Sequence, residues 1–142
     1  MSTIKPTSKH AGRSARDLTP YQWRAAKLVG NASSNDTRTV EQDQVIDVAG
    51  AGDHVAGVIE YPGDAAGVPT TILTGGRLKI KLGFAGKAND RIKPGANGVA
   101  LLAGVGEAYF GTLVEAGPIG AVVPFEFDHG TNPGEAVISG QI

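Results

Sequence analysis

The residues with most capacity for chemistry are two Asp-His pairs, Asp53-His54 and Asp128-His129, each placed at a turn between β-prone runs. If the segments that carry them pack face to face, two imidazoles and two carboxylates would converge on a point that could hold a divalent metal. Asp and His are also ordinary turn residues, and adjacency along the chain does not supply convergence, so no metal site is expected. Glu60 and Glu115 occupy similar places in two related segments and are the natural pair for glycoside chemistry. At strand ends they read better as polar surface. There is no Cys and no Gly-x-Ser-x-Gly elbow, and most serines lie in the first 39 residues, so no nucleophile with a neighbouring base is legible. The glycines from Gly104 to Gly111 match a nucleotide fingerprint only in part. The next segment is strand-like, whereas a phosphate cradle needs a helix N-terminus behind the loop. The expectation is a protein with no catalytic residues, no cofactor and no enzymatic activity.

The elements that would position these residues are sheet elements. His54 to Gly76, HVAGVIEYPGDAAGVPTTILTGG, reads as a hairpin, and Tyr109 to Gly130, YFGTLVEAGPIGAVVPFEFDHG, repeats its plan more weakly. Each has an apolar run with an early Gly (Gly57, Gly111), a Glu, a Gly/Pro-rich turn and a second β-prone run. Arg77 to Leu82, RLKIKL, is the cleanest amphipathic strand, with Leu78, Ile80 and Leu82 facing inward and Arg77, Lys79 and Lys81 facing solvent or a partner. Further strands are expected at 45–48, 99–103, 107–115, 121–127 and 136–139. KPG at 93–95 and Asn97-Gly98 read as turns. Residues 19–30 carry helix punctuation, with Thr19 as N-cap, Pro20 and a closing Gly30, but also a strand-like alternation.

Composition sets the core. With 21 Gly, 8 Pro and 6% aromatic residues in 142, the interior must be built from small and β-branched side chains separated by many turns. The fold class expected is all-β, a small barrel or sandwich of about eight short antiparallel strands. The absence of Cys excludes disulfides and thiolate zinc sites. No apolar run approaches a membrane span, and the first residues lack the apolar core of a secretory signal, so no membrane partner and no export are expected. The Asn-x-Ser/Thr triplets at Asn31 and Asn35, in a polar loop, are therefore read as coincidence.

Charge is uneven although the net value is −1: residues 1–30 hold six basic side chains against Asp17 alone. Residues 1–18 have almost no apolar content and read as an extended basic arm that orders against a partner, in front of a β-domain at 19–142. Basic residues without interleaved aromatics do not point to nucleic acid as that partner. The contact candidates are the arm bases Lys5, Lys9, Arg13 and Arg16, followed by Tyr21 and Trp23 as aromatic anchors.

Several of these motifs together resemble the head decoration, or capsid cement, proteins of tailed phages. An aromatic-Arg-x-x-Lys-Leu motif falls on Trp23, Arg24, Lys27 and Leu28, a central motif on Gly57, Val58, Pro62, Ala65, Ala66 and Gly67, and a closing motif on Gly111, Glu115, Ala116, Gly120, Val122 and Val123. The similarity runs from Tyr21 to Phe127 and departs from the family at Thr112-Leu113 and in the basic arm. It favours a strand over a helix for 19–30. It also implies a structural virion protein, made in the bacterial cytoplasm, that binds the outer surface of the phage head, bridges major capsid proteins and associates with itself as a homotrimer. The rival reading is a carbohydrate- or host-surface-binding β-domain, which would show an exposed aromatic platform.

Overall fold

The computed structural model describes residues 8–31 and 44–133. Lys5, the Asn35 triplet and the expected strand at 136–139 lie outside them. Ten strands in the described residues form two sheets. The first is a closed barrel in the spatial order β1 (Ser8–Ser14), β3 (Gln44–Val48), β2 (Ala25–Asn31), β4 (Gly57–Tyr61) and β5 (Pro69–Gly75), with β5 pairing back onto β1. The second sheet runs β6 (Arg77–Lys81), β10 (Val122–Thr131), β9 (Ala108–Leu113), β7 (Arg91–Pro94) and β8 (Ala100–Leu102). All named pairings are antiparallel except a short parallel contact of β1 with β3. A bridge between Leu82 and Ala100 brings the two ends of the second sheet together, so it too is strongly curled.

The all-β architecture arises from the alternation in the sequence. The leading hairpin is β4–β5 in the barrel wall and its weaker copy is β9–β10 in the second sheet. Along β4 and β5 successive residues serve two cores. Ile59 and Ile72 join Leu18, Ala26, Ile46 and Val48 inside the barrel. Val58 and Leu73 face the other way, into a larger cluster with Leu78, Ile80, Ile92, Phe110, Leu113 and Phe125 between the barrel and the second sheet. Each fully buried Ile, Leu or Phe contributes about 1.5–3 kcal/mol. On β2, Ala25 and Ala26 are both fully buried, one per core, which is why this strand needs small residues on both faces.

Three expectations are corrected or completed. Residues 8–18 are not an arm: β1 pairs with β5 from Ser8 to Arg13, and Leu18 is fully buried in the barrel core. Low apolar content misleads here because the ladder hydrogen bonds of a strand do not depend on side-chain type. The inward positions of β1 are small for a steric reason, since a Cβ on Gly12 would lie 2.7 Å from the Gln44 carbonyl and 2.8 Å from Ile46 Cδ1. Residues 19–30 divide between the two readings, into a 3₁₀ turn at Thr19–Tyr21 and strand β2. The turn expected from residue 93 begins later. Arg91–Pro94 is strand β7 with Ile92 fully buried, and the chain reverses at 95–99, where Asn97 and Gly98 have φ of 57° and 76°.

Candidate docking surface

The two Asp-His turns do meet. Packing of the loop before β4 against β10 stacks the rings of His54 and His129 with centroids 4.6 Å apart and planes 12° apart, with Phe127 edge-on to His129. His129 Nε2 lies 2.7 Å from the Val55 carbonyl, which only accepts, so this nitrogen carries the hydrogen. Ring lone pairs lie in the ring plane, and in two near-parallel stacked rings they do not converge on one ion. Asp53 is occupied elsewhere: it accepts from Gly50 N at 2.8 Å and pairs with Lys27 at 3.1 Å, and these two interactions hold its carboxyl below the ordinary range. Among the described residues no group of three His, Asp or Glu side chains could hold a metal. The stack is a clamp between the barrel and the second sheet.

Beside it, a groove of about 360 Å³ runs along the seam, floored by Ala51, Pro94, Leu101 and Ala108 and edged by Asp53, Lys93 and Glu107. Its charges answer one another. Lys93 Nζ lies 2.9 Å from both oxygens of Glu107, and Gly104 N donates to the same carboxylate at 2.6 Å, so the Glu107 carboxyl is held low. Glu60 and Glu115 belong to different sheets, on the barrel wall and in the β9–β10 turn, and Glu60 pairs with Lys9 at 3.4 Å.

The described contact candidates of the arm, Lys9, Arg13 and Arg16, are tied to the body. Besides its pairing with Glu60, Lys9 sits over the Tyr61 ring at 6.0 Å, and Arg13 donates to the Gly67 carbonyl. Arg16 donates to the buried carboxylate of Asp47 at 2.8 Å, which holds its guanidinium even more firmly protonated. Tyr21 packs on the barrel core with Arg24 over its ring. Trp23 sits between the sheets. Its backbone N–H donates to the Ile59 carbonyl, its own carbonyl accepts from Lys81 N, and its half-buried ring rests on the larger core.

The basic stripe expected on β6 is also at the surface, with Arg77 and Lys79 exposed and Lys81 partly buried. On the outer face of β6, Arg77, Lys79 and Lys81 lie beside Glu126, Pro124 and Val122 of β10. Arg77 is paired with Glu126 at 2.7 Å, whereas Lys79 lies over the Trp23 ring at 5.8 Å. The alternation of RLKIKL could identify this face, but only the register with β10 shows what stands next to it.

No family model matches the chain, and no curated protein matches it closely enough to count as a relative. Among solved structures, the chain is similar to the N base of the head fiber gp8.5 of bacteriophage phi29, with a TM-score of 0.66 and 18% sequence identity, over 87% of this chain and 95% of that one. At this identity the likeness is one of fold.

Proposed function

We propose that this chain is a structural protein of a phage virion, located on the outside of the head, where it binds the assembled shell as a decoration or cement protein and bridges major capsid proteins. The observation that supports this most is the fold shared with a phage head fiber base over most of both chains. The motifs at Trp23–Leu28, Gly57–Gly67 and Gly111–Val123 point the same way from sequence. The chemistry is compatible: the polar groups at the seam are spent on one another, and what remains is a rigid two-sheet body with outward-facing patches. Such a body does its work through contact area, and a stable attachment needs about 1,000 Å² or more in total. Self-association as a homotrimer would multiply weak single contacts, and velocity sedimentation of the purified chain distinguishes a trimer from a monomer. A carbohydrate-binding platform finds little support, since Tyr61 is the one aromatic among the large, strongly exposed apolar side chains of the described residues.

The test is chemical labelling of intact virions with a membrane-impermeant amine reagent, followed by mass spectrometry. The chain should be present in purified particles and labelled before the heads are opened. Its absence from particles, or labelling only after opening, contradicts the proposal.

A further inference from the structure

Lysines 79, 81 and 87 differ from most other cations in the described residues. Lys9, Arg16, Lys27, Arg77 and Lys93 each have a carboxylate within ion-pair distance, whereas among the described residues Lys79, Lys81 and Lys87 have none. These three are neighbours. Lys79 and Lys81 project from the outer face of β6, beside Pro124 and Val122. The β9–β10 turn wraps the end of β6, with Gly120 N donating to the Leu82 carbonyl and Leu82 N to that of Ala121, and it presents Ile119 at its tip, 70% exposed. A bridge from Gly117 to Gly86 then brings the loop of Lys87 alongside. The result is two exposed apolar side chains, Ile119 and Val122, at the same end of the sheet as the three lysines, with Val122 directly opposite Lys81. Of the nearby acids, Glu126 is paired with Arg77, while Asp90, which accepts from Lys87 N, and the exposed Glu115 keep their charge, so the three lysines outnumber the local counter-charges by one.

We infer that this end of the second sheet is the docking face of the protein, and that its partner is an acidic protein surface with an apolar depression that receives Ile119 and Val122. The inference rests on the proposed attachment to the shell and names the face and the chemistry of that contact. Lysines without internal acid partners attract a negative surface and set the register, while an apolar contact holds it. A polyanionic nucleic acid fits less well. Phosphates make no use of Ile119 and Val122, and Lys79 lies over the Trp23 ring on which a base would stack.

The experiment is cosedimentation of the full chain with heads of the encoding phage assembled without it, at low and moderate salt. It compares the wild type with Lys79→Glu/Lys81→Glu and with Ile119→Ser, and uses Val105→Ser, at a 74% exposed position in the turn before β9, as control. Wild type and control should bind alike. Both face variants should lose about tenfold or more in affinity, and wild-type binding should weaken with salt. Circular dichroism and thermal melts establish that the variants are folded. If the charge reversal unfolds the chain, Lys79→Gln/Lys81→Gln replaces it. Equal binding by folded face variants overturns the inference and leaves the head attachment standing. Failure of the wild type to bind heads overturns the attachment itself. Tight binding of a single-stranded oligonucleotide that is lost in the charge variants overturns the acidic-protein assignment.

Discussion

Trp23 has φ of 63°, a left-handed conformation that a bulky side chain adopts only under constraint. The constraint is visible in its backbone, which bonds to β4 through its N–H and to β6 through its carbonyl. Trp23→Ala should cost roughly 2–3 kcal/mol, below the range for a fully buried ring because this one is half covered. Trp23→Gly, which relieves the left-handed backbone, should be as stable as the alanine variant or up to about 1 kcal/mol more stable. Urea denaturation checks both, and a glycine variant clearly weaker than alanine would contradict this reading of the strain. A second residue effect concerns acid. The Lys93 ammonium and the Gly104 N–H lower the Glu107 carboxyl below its ordinary value of 4.5. A carboxyl whose folded value lies below its unfolded one contributes stability that is complete above the unfolded value and is lost as pH falls through the folded value. Melting temperature should therefore decline below about pH 4.5, and Glu107→Gln should show less of that decline. An identical acid profile in the variant would remove this contribution.

Among the elements, β6 and the two hairpins were legible because their apolar positions recur with period two and their turns are marked by Gly and Pro. Strand β1 was not legible, since a strand that buries Gly12 and Ser14 against its neighbours leaves no apolar signal. Strand β7 was hidden for a different reason: Ile92 is its single fully buried residue, and the turn chemistry at its end dominated the local pattern. The meeting of His54 with His129 could be anticipated as a conditional, but ring orientation could not, and it is the orientation that makes the pair a clamp and not a metal site. Barrel closure through β1 gives a definite expectation. Deleting residues 1–14 removes the strand that joins β5 to β3 and should abolish the cooperative thermal transition or leave aggregated protein. A soluble truncated chain with an unchanged melt would restore the view of this segment as a detachable arm.

For the molecule as a whole, two cores share the walls of β2, β4 and β5, and the seam between the sheets is fastened by the Trp23 backbone and the stacked histidines. A body braced in this way keeps its outer patches at fixed separations, which bridging between shell subunits requires. The described part of the cationic segment, from Ser8 onward, is absorbed into the barrel, and the carboxylate-free lysines of the described residues lie instead on the second sheet. Charge counts along the chain could not show this, because pairing depends on strand order. Attachment to the outside of the head is tested most directly by a pair of electron-microscopic reconstructions, from particles with and without the gene for this chain. Density of this two-sheet shape should stand at repeated positions on the outer surface of the first and be missing from the second. Identical outer surfaces in the two reconstructions would contradict that attachment.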